Sequence, residues 1–147
     1  MKKVISIILG ILVAASLVVM LVPMNYLGLI PQNSAFTLKG ELAKNTYQAG
    51  EDIPVTAVFQ NNTLHAYMIT HGKDMISFSY GKEGEERTES VAPAADSTEY
   101  VGPKTNFSAK GTLQIPEPGK YTIYVDAHIG IGKAEYEYSK AYGVVIE

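Results

Sequence analysis

His65, Met68, His71 and Met75 lie close together in this 147-residue chain, with Asp74 beside them and Asp126 and His128 much later. Thioether sulfur and imidazole nitrogen suit copper, and imidazole also suits zinc. The chain has no cysteine, which excludes disulfides, thiolate metal sites and cysteine nucleophiles. The candidate metal ligands are therefore His65, His71, Met68, Met75 and His128. The same residues also have a plain structural explanation. Met68 alternates with Ala66 and Thr70, a spacing that places it on the core face of a strand, while His65 and His71 fall at turns.

Catalytic constellations are sparse. No G-x-S-x-G elbow occurs, and Gly130 and Gly132 read as a hairpin turn rather than as a phosphate-binding loop. Glu135 and Glu137 share one face of a strand, but an acid/base couple needs a cleft and burial to separate its pKa values. Alternating charge on an exposed strand is the simpler account. No enzyme activity and no cofactor are expected. Asn61-Asn62-Thr63 and Asn106-Phe107-Ser108 both match the N-glycosylation acceptor pattern, and both also suit turns.

The elements that must carry these residues divide the chain in two. Lys2 and Lys3 precede a stretch, residues 4–38, without a single charged side chain. Within it, residues 4–22 are almost wholly apolar, and at about 1.5 Å per residue they reach roughly 28 Å, close to the thickness of a bilayer's hydrocarbon core. The expectation is a membrane span through residues 4–22. The lysines before it place the N-terminus in the cytoplasm and the remainder outside, by the positive-inside rule. A cleaved signal peptide, with residues 14–16 as the cleavage region, is the alternative and would leave a secreted domain. Residues 1–31 are thus assigned to a membrane anchor or signal peptide, 32–35 to a linker and 36–147 to an extracytoplasmic domain. Its 112 residues carry 10 basic and 15 acidic side chains, a net charge of −5, against −3 for the whole chain. That balance argues against nucleic acid as a partner and against attraction to anionic lipid.

Period-two alternation dominates the domain. Phe36, Leu38 and Leu42 alternate with polar residues; so do Ile53, Val55, Ala57 and Phe59; so do Phe107, Ala109, Gly111, Leu113 and Ile115; and so do Tyr121, Ile123, Val125 and Ala127. Residues 66–70 and 75–80 read as two short strands, and residues 134–139 and 141–146 as one strand or two halves bent near Lys140. Pro54 points to an edge strand or a strand's first residue. Residues 81–96 read as a long acidic connection with an edge strand near 88–92. The fold expected is all-β, an antiparallel immunoglobulin-like β-sandwich of seven or eight strands behind one N-terminal transmembrane helix, with a closed barrel as the alternative. Without tryptophan, half-buried tyrosines are expected to supply aromatic bulk while their hydroxyls reach water or backbone carbonyls.

Tyr47, Gly50, Glu51, Ile53, Val55, Phe59, Asn61 and Thr63, followed by Pro118, Gly119, Tyr121 and Val125, resemble the strand and turn plan of small bacterial immunoglobulin-like domains. Among these the pattern is distantly similar to the BsuPI-type intracellular proteinase inhibitor domain, over most of residues 36–147. The resemblance implies a sandwich and, as one function, protease inhibition through an exposed loop, for which residues 81–97 are the candidate. The chain departs from that family in lacking tryptophan and in carrying the apolar N-terminal segment. Three functions are therefore expected: a membrane-anchored, non-enzymatic binding or accessory module with a protein or cell-envelope partner, a protease inhibitor-like domain, or a copper- or zinc-handling envelope protein.

Overall fold

A computed structural model describes residues 2–85 and 97–147. Among the described residues, helix α1, Lys2–Leu21, is followed by nine strands: β1 Phe36–Leu42, β2 Thr46–Tyr47, β3 Asp52–Asn61, β4 Tyr67–His71, β5 Ile76–Lys82, β6 Ser97–Val101, β7 Asn106–Gln114, β8 Gly119–Ile131 and β9 Ala134–Ile146. The strand expected near residues 88–92 lies outside the described residues. Two sheets form. One has the order β1-β3-β7, and the other runs β2-β9-β8-β4-β6 with β5 also paired to β8.

The four runs of alternation in the sequence supply the core. Phe36, Leu38, Ile53, Val55, Phe59, Ile123, Val125 and Ile129 are buried between the sheets, as period-two spacing requires when one face of each strand is covered. Phe36 stacks on Phe59 with ring centroids 5.3 Å apart, and Tyr67 and Tyr138 meet this pair edge-on at 5.5 Å each. Tyrosine does replace tryptophan here. The hydroxyls of Tyr136, Tyr138 and Tyr142 on β9 donate to the carbonyls of Pro31 (2.6 Å), Asn33 (3.1 Å) and Gly40 (2.8 Å). Tyr142 also accepts from Gly40 N–H at 2.9 Å, so one phenol ties β9 to β1 across the sandwich. Gly40 permits that approach, because a Cβ there would stand 2.8 Å from the Tyr142 ring.

Several expectations are corrected. Pro54 is on neither an edge strand nor a first residue: β3 is central, and Pro54 lies where β1 has already ended, so the strand has one neighbour there. Residues 134–146, by contrast, form one continuous strand, the first of the two readings, because β8 pairs with it along its whole length. Met68 does not face the core; Tyr67 and Ile69 do, and Met68 is half-exposed. Buried Ala66 lies just before β4 begins, so the alternation that includes it does not continue into the strand. Strands β4 and β5 lie end to end along one neighbour. Thr70 sits opposite Gly130 and Ile76 opposite Ala127, so both run antiparallel to β8 in a single line broken by residues 72–75.

Part of the stretch assigned to the anchor also contacts the β domain. Met24 is buried in the core, Pro23 bridges to Ala66, and Met24 N–H donates to Ala66 C=O at 2.8 Å. The Asn25 side chain completes the match, accepting from Met68 N–H at 3.0 Å and donating to Met68 C=O at 3.2 Å. A single amide group thus takes the place of a neighbouring strand's backbone.

Candidate functional site

The strand register gives the sandwich two unlike ends. Residues 61–66, 102–106 and 132–133 gather at the end beside the C-terminus of α1, called here the proximal end. Residues 43–51, 82–85 and 115–119 gather at the opposite, distal end.

The distal end holds a groove of about 330 Å³ between the end of β5 and the turn joining β7 to β8. Tyr80 and Tyr121 line it in an edge-to-face pair with centroids 6.0 Å apart. Tyr121 is buried, whereas Tyr80 is 42% exposed. The polar rim comes from Lys82, Glu85 and Glu117, with Lys82 Nζ 3.5 Å from a Glu117 oxygen. Glu83 N–H donates to Lys120 C=O at 2.9 Å and fixes the chain as it leaves β5. Nearby, Lys44 donates to Glu51 at 2.5 Å and Gln48 N–H donates to its other oxygen, which together hold the Glu51 carboxyl below the usual carboxylate range. An exposed aromatic ring with charged hydrogen-bonding groups around it suits a polar or peptide-like ligand. The sequence pointed to part of this, since Lys82 and Glu85 belong to the candidate loop 81–97, whose residues 86–96 lie outside the described residues; the turn at residues 115–117 that faces them is far away in the chain and belongs to no motif.

The candidate metal ligands are spread over different surroundings. His65 is exposed in the proximal loop. His71 Nδ1 lies 2.6 Å from Gly72 C=O, and its Nε2 lies 3.6 Å from Glu99. His128 Nε2 lies 3.8 Å from Glu135. Met68 has its backbone engaged by Asn25, and Met75 packs against the core. Among the described residues, no three His, Asp or Glu side chains converge on a point that a metal ion could occupy. Asp126 is nearly buried and accepts from Ser139 at 2.6 Å.

Asn61, the first residue of one glycosylation pattern, is fully buried. Its Nδ2 donates to the carbonyls of His65 (2.7 Å) and Gly102 (2.9 Å), and its Oδ1 accepts from the Thr63 N–H (2.9 Å) and hydroxyl (2.8 Å). The pattern is a structural clasp between two loops. A glycan on that nitrogen would have no room and would replace one of its two hydrogens, removing a donor bond.

No protein-family description and no curated protein matches the chain significantly in sequence. Solved structures do resemble it. The sporulation control protein Spo0M from Bacillus subtilis superposes with a TM-score of 0.51 at 16% identity, covering 77% of this chain and 49% of that one. A β-glucosidase from Listeria innocua gives a TM-score of 0.45 at 15% identity over 76% of this chain and 16% of the enzyme. A family 123 glycoside hydrolase from Clostridium perfringens gives 0.38 at 16% identity over 75% and 27%. The chain spans about half the length of Spo0M and a small part of either enzyme. At such identities the Spo0M likeness speaks to fold alone, and no enzyme activity is indicated for this chain by the hydrolases.

Proposed function

We propose that the protein is a membrane-anchored, extracytoplasmic, non-enzymatic binding or accessory module with an immunoglobulin-like sandwich, presenting its distal groove to a protein or envelope partner. The observation that carries this is the junction at residues 21–25. A helix long and apolar enough to cross a membrane, Val4–Leu21, has no residue buried in the protein and leads directly into a backbone bridge with the sandwich. Such an arrangement suits a domain that must face one way. The groove then opens at the end away from the bilayer, where functional loops on a rigid scaffold meet their partners. The sheet orders β1-β3-β7 and β2-β9-β8-β4-β6, with β2 parallel to β9, support the immunoglobulin-like assignment.

The test has two parts. Membrane fractionation and protease treatment of intact cells should find the chain in the membrane with its C-terminal domain cleavable from outside. A photo-crosslinking residue in place of Tyr80 should then capture a specific partner that the same residue in place of Lys110, on β7, does not. A chain recovered only from the cytosol, or identical capture from both positions, overturns the proposal.

A further inference from the structure

The groove is one surface left over by the fold; the proximal end is the other. Resting on the anchored reading above, we propose that the proximal end is itself a lipid-binding surface, seated in the headgroup layer so that the domain stands fixed on the membrane.

Position comes first. The 18 residues Val4–Leu21 rise about 27 Å, so a spanning helix brings Leu21 to the bilayer interface. Leu21 C=O accepts from the Tyr100 hydroxyl at 2.9 Å, and Met24 is bonded to Ala66. The sandwich therefore begins at the interface. From Met24 the chain crosses the proximal end to Pro31, which the Tyr136 hydroxyl holds. Met24 turns inward, and the residues between turn outward: Tyr26, Leu27, Leu29 and Ile30 are all more than half exposed, as is Leu64 in the adjoining loop. Large apolar side chains concentrated at one end of a domain and continuous with a lipid-facing helix fit the boundary between headgroups and acyl chains, where a tyrosine is also at home.

Charge agrees with position. Segments 28–35, 61–66, 102–106 and 132–133 hold Lys104 and Lys133 and no carboxylate. The nearest acids, Glu99 and Glu135, are set back along the strands beside His71 and His128. At the distal end, segments 43–52, 82–85 and 115–120 with residue 147 hold six carboxylates against three lysines. Six of the domain's fifteen carboxylates thus lie at the end away from the membrane, and the segments next to it carry only lysines, the sign that anionic phosphate headgroups attract.

The absence of tryptophan supplies the experiment. Leu64→Trp and Leu29→Trp place single probes on exposed proximal positions, Leu12→Trp reports on the helix, and Glu117→Trp reports on the distal end. The full chain is reconstituted in phosphatidylcholine vesicles with about 30% phosphatidylglycerol, an anionic surface. Quenching of the Leu64 and Leu29 probes by brominated acyl chains should exceed that of the Glu117 probe by at least about threefold, with blue-shifted emission. Adding Lys104→Glu and Lys133→Glu should reduce that proximal quenching about twofold or more. If the Leu12 probe is quenched while the Leu64 and Leu29 probes match Glu117, the surface proposal is overturned and the anchor stands. If the Leu12 probe is also in water, the anchor fails and the surface with it. Proximal quenching that ignores the two charge reversals overturns the role of the lysines.

Discussion

Replacing Asn61 with Asp tests whether that side chain is the clasp described above. The exchange keeps the shape and the oxygen that accepts from Thr63, but it turns the two-bond donor into a second acceptor facing the carbonyls of His65 and Gly102. His65 C=O keeps the Thr63 hydroxyl (3.2 Å) and Gly102 C=O keeps the Thr105 hydroxyl (2.7 Å), so the two lost bonds cost roughly 1–3 kcal/mol, to which burying a carboxylate against both carbonyls adds. A domain of this size has about 5–15 kcal/mol in total. Thr63→Ala removes the γ-methyl and the hydroxyl, which donates to Asn61 Oδ1 at 2.8 Å and accepts from His65 N–H at 3.2 Å, but it keeps both Asn61 donor bonds and should cost about 1–2 kcal/mol. Urea unfolding of the full chain in detergent micelles, followed by the near-ultraviolet circular dichroism of the tyrosines, measures both. With a slope of about 1–3 kcal/mol per molar urea, the Asp variant should lower the midpoint by about 1 M or more at unchanged slope. Protonating the new carboxyl restores one donor, so part of the loss should return as pH falls through the carboxylate range. An Asp variant within about 0.5 kcal/mol of the parent, or a Thr63→Ala cost as large as the Asp cost, would refute the clasp.

Four further outcomes are expected. Gly40→Ala should destabilise by about 1–3 kcal/mol, because the new methyl meets the Tyr142 ring at 2.8 Å and a Val125 methyl at 3.0 Å; Tyr142→Phe, combined with it, should recover part of the loss in thermal melts. Asn25→Ala should raise hydrogen exchange at the Met68 amide by about tenfold, the loss of roughly 1.4 kcal/mol of local protection, while core amides of β8 stay unchanged. Burial, then the neighbouring Tyr136, push the Tyr138 phenol up to about 12, and burial likewise raises Tyr136. The folded state holds these protons more tightly than the unfolded chain, so their contribution is intact below the ordinary tyrosine value near 10 and is lost as pH rises towards 12; phenolate absorbance and unfolding at graded pH would show both. Copper and zinc titrations should leave the melting temperature unchanged, since His71 and His128 lie against different carboxylates and His65 is exposed elsewhere; a metal-dependent rise would restore the candidate ligand set.

The sequence by itself determined the division into an apolar helix and a β domain, and most of the core. Both are one-dimensional properties: a charge-free run long enough to cross a bilayer, and alternation at Ile53, Val55, Ala57 and Phe59 or at Tyr121, Ile123, Val125 and Ala127 that only a half-covered strand needs. Strand β2, two residues long, was illegible because so short a segment has no period, and its parallel pairing with β9 depends on a chain end brought back from far away. The Met68 face was misread because buried Ala66 sits on a backbone bridge before β4 begins, and its parity does not carry across. Function-bearing features fell on the same side of the line. The Asn61 clasp and the tyrosine-lined groove each join two segments far apart in the chain, and the basic, apolar proximal end joins several, so no single local pattern records them whole. An acidic domain of −5 looked unsuited to anionic lipid until folding sorted the charges, carrying six carboxylates to the far end and leaving two lysines beside the helix. A sum over the chain has no direction, and only the tertiary structure assigns one.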